Sequence, residues 1–523
     1  MFKKVSHIEG LIEEDEILFS TAFDYFFPDA ARSKPCLLPV AEATLEGLRK
    51  LADFMADTGS PVVPQVAFNS QIPSIFTYFG QFIDHDITAR TDRDGVVTAI
   101  GRGEAIEPLA PDYLVKMLRN GRRPALDLDS VFGDGPALVN AATTQSDILY
   151  DDFRLRIVEE IDGTGNQIFD LPRTKRVDLK GDISYPATIA DMRNDENVII
   201  SQLHTAFLKF YNAIFTAQAV GSNKQKYIRA RQLACWAYQY VVINDYLKTV
   251  CQEEIVDDTL ANGPRFIGIS AGRAGSFMPL EFSVAAFRFG HSMIRPFYTL
   301  NALSPDVNIL DLLNTNSTAN NFGGFDPASP DAKNLVAERI VDWTNFVTAA
   351  ATNKARLIDP KIAEGLSTLP FEGRKVDPIL RHLVRSNLFR GYNLSIPIGQ
   401  AMCDAFGIEP LKGDALRVGL DADLDELLRE TYFDHRTPLW YYLLREAQLQ
   451  QNGQRLGELG SRIVCETIIN LIKQDSNTYL NNVHDSAVVT NASGRITGIN
   501  VGDGNIIRDL EDILQVAGVL AAE

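Results

Sequence analysis

Two of the seven histidines in this 523-residue chain have neighbours that suggest chemistry. The first lies in FGQFIDHDITART, where Gln81 and His85 are four residues apart and share one face if the segment is helical. His85 is flanked by Asp84 and Asp86, and the preceding SIFTYFGQFI is apolar enough to bury the run. Carboxylates beside a buried imidazole are costly unless each finds a metal, a cationic group or a covalent link. The second lies in FRFGHSMIRPFY, where His291 follows a glycine and sits among Phe287, Phe289, Met293 and Ile294. An imidazole in such a pocket suits a ligand of a large apolar cofactor, and haem iron commonly takes a proximal histidine. Taken singly, this segment is better explained by a core histidine bonded to a backbone carbonyl than by an iron ligand.

Helical periodicity dominates the elements that must position these residues. In SQLHTAFLKFYNAIFTAQAV, residues Leu203, Phe207, Phe210, Tyr211, Ile214 and Phe215 follow the i, i+3, i+4, i+7 pattern. The stretch Gln225–Val250 has the same character, and further helices are expected around 279–294, 331–352, 376–388, 421–430 and 455–474. Residues 157–178 can hold a short hairpin around the Asp162–Asn166 turn. Gly-, Asp-, Asn- and Pro-rich stretches near 134–147, 162–167 and 303–331 read as loops. No internal repeat is visible, and no break separates two compositionally distinct halves. The expected fold is mainly α with little β: one large domain with long loops over 61–523, and an N-terminal segment, 1–60, wrapping onto it.

Composition narrows the function classes. With 50 Lys and Arg against 68 Asp and Glu the formal charge is −18, a poor net field for nucleic acid or an anionic membrane. The apolar fraction of 45% and charged fraction of 23% are those of a folded globule. Five cysteines without CxxC spacing argue against a zinc ribbon, a thioredoxin-type motif or a disulfide scaffold. No apolar run reaches 18 residues, and MFKKVSHIEGLIEEDEILF lacks the apolar core of a signal peptide. The chain therefore reads as soluble, and as cytoplasmic or exported without a cleaved leader. Oligomeric state is not legible.

Five motifs in order, from about Pro61 to the C-terminal helical region, resemble the animal-type haem peroxidases of the peroxidase–cyclooxygenase superfamily. GQFIDHD is similar to the family's distal-helix motif. The resemblance implies that His85 is the distal histidine, Gln81 a distal hydrogen-bonding residue, Asp84 a carboxylate that can esterify a haem methyl, and Asp86 a calcium ligand. PALDLDSVFG resembles the family's calcium loop, implying side-chain ligands Asp127 and Asp129 and backbone oxygens from Arg123 and Ala125. The chain departs from the animal enzymes at Arg123 and Asp129, where they usually have Thr and Ser; a hard cation accepts Asp for Ser readily. ADMRNDENVIISQLHTAF resembles the segment carrying the catalytic arginine. Arg193 matches that arginine and Glu196 the second haem-linking carboxylate. Asn197 stands where myeloperoxidase has a methionine, so a sulfonium link is absent. His204 also matches a family histidine, and its place inside the helical pattern assigns it to structure. FRFGH supplies His291 as proximal ligand of the haem iron. SNLFRG supplies Asn387, bonding the proximal imidazole, and Arg390, a haem-propionate partner. The sparse cysteines favour a bacterial-like relative.

The resemblance implies a haem peroxidase holding haem b, with possible ester links through Asp84 and Glu196, and calcium. Hydrogen peroxide would be reduced to water, and bromide, iodide, thiocyanate or phenols oxidised through a ferryl-radical intermediate. His85 as general base and acid, and Arg193 as a permanent cation near the leaving oxygen, suit that cleavage. An amide oxygen from Asn387 would leave the proximal imidazole less anionic than a carboxylate would. The nearest rival is a haem-dependent fatty-acid dioxygenase. The cyclooxygenases of that group carry a tyrosine three residues before the proximal histidine, where this chain has Arg288. A second rival, a metal-dependent phosphohydrolase with a His-Asp doublet, needs another upstream histidine, and only His7 is available.

Overall fold

The computed structural model describes residues 21–57, 68–91, 107–136, 148–161, 165, 167–177, 183–267, 277–313, 335–367, 369 and 382–521. The architecture is mainly α, as expected. Its principal helices are α1 (Glu42–Met55), α2 (Ile75–Ile87), α3 (Val198–Ala217), α4 (Asn223–Val241), α5 (Leu383–Asn393), α6 (Leu439–Gln451) and α7 (Glu458–Gln474).

Helices α2 and α3 form the centre. Eleven of the thirteen residues of α2 are buried, so it is apolar nearly all round, the signature of a core helix rather than an amphipathic one. It packs on α3 through aromatic rings, with Phe82 and Phe207 stacked at 4.5 Å and Tyr238 of α4 edge-on to both. Its end is closed by Thr88, whose hydroxyl donates to the Asp84 carbonyl and carboxylate, each at 2.9 Å. Gly80 admits a close neighbour: a Cβ there would lie 2.5 Å from the Tyr246 hydroxyl. Tyr246 belongs to Val242–Leu247, a π-helical turn continuing α4. Such turns carry one extra residue and often re-aim side chains at functional sites.

Sheet structure is small. Strands β1 (Thr21–Asp24), β2 (Arg90–Thr91), β3 (Arg119–Asn120) and β6 (Phe277–Pro279) form one sheet in the order β6-β1-β3-β2. β1 is parallel to β6, with Ala22 opposite Phe277, and antiparallel to β3, with Thr21 opposite Asn120. The segment 21–57 lies against the core: the Tyr25 hydroxyl donates to the Leu394 carbonyl at 2.7 Å, and α1 packs on α5. The hairpin expected over 157–178 forms between β4 (Val158–Ile161) and β5 (Gln167–Asp170).

Three expected helices come out differently. Over 279–294 there is only Leu280–Val284 followed by a 3-10 turn, Ala286–His291. Within 335–352 only two short 3-10 turns occur, Ala337–Arg339 and Trp343–Asn345; Asp342 caps the second through a bond from Thr344 N. Apolar spacing there marks burial on the core, while local capping ends each turn. The helix expected at 376–388 runs instead over α5, its earlier residues lying outside those described. The helices expected at 421–430 and 455–474 are present as Ala422–Glu430 and α7.

Candidate active site

A cavity of about 290 Å³ opens between α2, the 3-10 turn ending at His291, and α5. His85 and His291 both line it, although 206 residues (291 − 85) separate them in sequence. From α2 come Thr77, Gln81, Asp84 and His85, positions i, i+4, i+7 and i+8, which share a helix face. Leu383, Ser386, Asn387 and Arg390 line it from α5 by the same periodicity. Glu196 and Asn197 close one side; Phe287, Met293, Ile294 and Ile309 supply apolar wall.

On the distal side His85 is fully buried. Its Nε2 lies 3.6 Å from Glu196 Oε1, and its Nδ1 meets Asn194 Oδ1 at 2.8 Å. The Gln81 amide nitrogen donates to Glu196 Oε1, and its oxygen accepts from Asn197 Nδ2 at 3.2 Å. Asn197 also caps α3, accepting from Ile200 N at 2.9 Å. Burial pushes the Glu196 carboxyl up to about 8, with Arg193 opposing, so it is held largely neutral near pH 7. Burial likewise raises the Asp84 carboxyl, against the pull of Arg193 and Arg288.

Arg193 is not on the cavity wall as the expected role would have it. It sits in a 3-10 turn, Met192–Asp195, capped by Asp191, whose Oδ1 accepts from Arg193 N at 3.0 Å. Its Nε and Nη2 bind the Asp191 carboxylate, Nη2 at 2.6 Å, and Nη2 also donates to the His85 carbonyl at 2.7 Å. Asp191 is shared with Arg122. Although burial opposes it, these two cations hold the Asp191 carboxyl well below the usual carboxylate range.

On the proximal side, Asn387 does contact His291, at 2.9 Å from Nδ1. The facing atom is the amide nitrogen, however, because the oxygen accepts from Arg288 Nη1 at 3.1 Å. The expectation of an oxygen acceptor is therefore corrected: Arg288 competes for it. Trp440 packs edge-on to His291 at 6.3 Å and donates from Nε1 to the Arg288 carbonyl at 3.2 Å. Arg390 lines the cavity from α5.

These residues fit an iron porphyrin. Imidazoles line the cavity from two elements, the wall between them is largely apolar, and two carboxyls held toward neutrality plus two arginines supply the polar rim.

Calcium fits poorly. Asp86 turns away from the cavity, but its oxygens are taken by the Ser130 hydroxyl at 3.0 Å, Ser130 N at 3.3 Å and Leu128 N at 3.2 Å. Asp129 lies 3.3 Å from the buried guanidinium of Arg122. Asp127 is 3.8 Å from Arg123, whose own carbonyl accepts from Ala125 N at 2.8 Å. Among the described residues no three His, Cys, Asp or Glu side chains converge as a metal site, although one oxygen each of Asp127 and Asp129 has no hydrogen bond. The expectation of a calcium ion ligated by Asp86, Asp127, Asp129 and the carbonyls of Arg123 and Ala125 thus receives no support, since a protein cation, Arg122, enters that carboxylate group.

Three participants were not singled out from sequence, Asp191, Asn194 and Arg122, and Arg288 was named only as standing in place of the cyclooxygenase tyrosine. Asp191 had a signal, an acidic cap two residues before Arg193; the others are assembled by tertiary contact. His7 lies outside the described residues.

A family model for animal haem peroxidase matches residues 124–493. By structure the chain is similar to peroxidase A from Dictyostelium discoideum, at TM-score 0.55 and 14% identity, covering 97% of this chain and 100% of that one. It is also similar to fatty acid alpha-dioxygenases from Arabidopsis thaliana (TM-score 0.51, 13% identity, 85% and 71% coverage) and Oryza sativa (0.52, 14%, 94% and 76%). No curated protein matches by sequence. At such identity the structural likenesses speak for the fold alone. The long match to the family, joined to the cavity above, identifies the chain as a peroxidase-type oxidoreductase that belongs to the animal haem peroxidase family.

Proposed function

We propose that the chain reduces hydrogen peroxide to water and oxidises small donors of the bromide, iodide, thiocyanate or phenol class. The observation carrying this reading is a distal imidazole whose Nδ1 is tied to an amide, leaving Nε2 beside Glu196 on the cavity wall. Bound between His85 and His291, haem b would supply the two-electron reduction of peroxide, with His291 as iron ligand. His85 takes the proton from the near oxygen of peroxide at Nε2 and returns it to the departing one. Arg193, off the cavity wall, acts through the imidazole: Nη2 holds the His85 carbonyl while Nε and Nη2 are anchored on Asp191, so the cation positions His85. Gln81 holds Glu196 against the distal pocket, and Arg390 pairs with a propionate. Asp84 and Glu196, held toward neutrality, are the carboxyls suited to ester links.

The dioxygenase alternative gains nothing from the site. Arg288 occupies the place of the cyclooxygenase tyrosine, and Tyr298 is packed on Tyr78 and Phe346, accepting from Arg295 N at 2.9 Å. The test is a visible spectrum of haem-loaded protein before and after peroxide, with bromide, thiocyanate and a phenol as donors. A peroxide-induced Soret shift reversed by a donor is expected. A protein that stays colourless after haem reconstitution, or takes up oxygen with a fatty acid without peroxide, overturns the reading.

A further inference from the structure

The distal imidazole is tied into a chain of three buried side chains. Asn194, the residue after Arg193, places its amide between two histidines: Oδ1 is 2.8 Å from His85 Nδ1, and Nδ2 is 2.9 Å from His204 Nδ1. All three residues are fully buried. An amide is polar in one sense only, its oxygen accepting and its nitrogen donating. With Oδ1 toward His85, Nδ1 of that ring carries the hydrogen and the lone pair lies on Nε2, the atom beside Glu196. With Nδ2 toward His204, Nδ1 of the second ring is the lone pair. Burial pushes His204 down to about 3, so it remains a neutral acceptor at any working pH. Its far nitrogen has no hydrogen-bond partner among the described residues, and the ring packs edge-on to Phe82 at 6.1 Å, which leaves Asn194 as its one hydrogen-bond partner there. Turning the amide over would move the hydrogen of His85 to Nε2, where it could not accept a proton from peroxide.

We propose that Asn194 and His204 are positioning residues that lock His85 in the tautomer able to act as base. The proposal rests on the peroxidase reading and adds to it that His204, which touches nothing in the cavity, controls the proton-transfer step.

The first measurement is histidine nitrogen NMR on the haem-loaded protein in its diamagnetic ferrous carbonyl form. The hydrogen is expected on Nδ1 of His85 and on Nε2 of His204. The second is the rate of the Soret change on mixing with peroxide. His204→Leu removes the acceptor and is expected to slow the reaction by about tenfold or more, up to the roughly 10²–10⁴ that a general base contributes in full. His204→Gln restores an acceptor and is expected to recover most of the rate at equal haem content. A hydrogen on Nε2 of His85 in the wild type, or a wild-type rate in His204→Leu, overturns the proposal. If His204→Leu fails to fold, the wild-type tautomer decides alone. A wild type that does not react with peroxide would instead sink the peroxidase reading.

Discussion

Arg193 donates through Nη2 to the carbonyl oxygen of His85 at 2.7 Å, so the cation grips the backbone of the imidazole it works beside. Position and charge are thus coupled in one side chain. Arg193→Gln is expected to slow the peroxide step by about 10²-fold, the usual effect of a small misplacement of a reacting group. Arg193→Lys should also fail to restore the rate, because one ammonium cannot bind Asp191 and the carbonyl in the same fork. Stopped-flow rates at matched haem content check both. A wild-type rate in Arg193→Gln would exclude the residue from the step.

Asp191 serves two buried cations, and its removal leaves both without their shared carboxylate. Asp191→Asn is expected to cost about 3–5 kcal/mol, the usual effect of orphaning a buried partner. Because the folded carboxyl is depressed, its contribution is fully present above the unfolded carboxylate range and is lost as pH falls through the folded value. Denaturant titrations at pH 7 and near pH 3 should show the variant's deficit shrinking in acid. A deficit that does not change with pH would mean that another group sets the acid limb.

Glu196 has the opposite sign. Its carboxyl is raised to about 8, so in protein without ester links stability falls as pH rises from the unfolded value, near 4.5, through 8. Glu196→Gln should flatten that alkaline loss. In peroxide-treated wild type, haem is expected to survive acid–butanone extraction; a Glu196→Gln, Asp84→Asn double variant should release it. Release of all haem from the treated wild type would reduce these carboxyls to hydrogen-bond partners.

Arg122 stands beside Asp129 and Asp191 with Asp86 nearby, a protein cation inside that carboxylate group. Exhaustive chelation is therefore expected to leave the Soret band and melting temperature unchanged, whereas Arg122→Met should lower both haem retention and stability. A chelator-sensitive Soret band restored by calcium would return this loop to metal binding.

Tyr246 lies over Gly80 of α2, where a Cβ would meet its hydroxyl at 2.5 Å. Gly80→Ala is expected to destabilise by about 1–3 kcal/mol through overpacking. Adding Tyr246→Phe, which removes the 2.5 Å hydroxyl contact and leaves ring atoms beyond 3 Å, should recover much of that loss. Paired melting curves read the coupling.

By itself the sequence determined which of these residues share a helix face. Spacing of four puts Gln81 and His85 on one helix face, and spacing of three does the same for Asn387 and Arg390, whatever the rest of the chain does. Long helices such as α3 and α7 were legible because their apolar period persists over several turns. The segments 279–294 and 331–352 were not, since burial imposes apolar spacing on short turns as readily as on helices. Only the tertiary structure decided what each polar group faces. Arg193 turned from the cavity wall toward Asp191, Arg288 took the Asn387 oxygen, Arg122 entered the carboxylate loop, and Asn194 joined His85 to His204. Each of these is a choice among competing partners in a low-dielectric interior. Such choices depend on which donors and acceptors arrive from distant parts of the chain, and residue spacing holds no record of them.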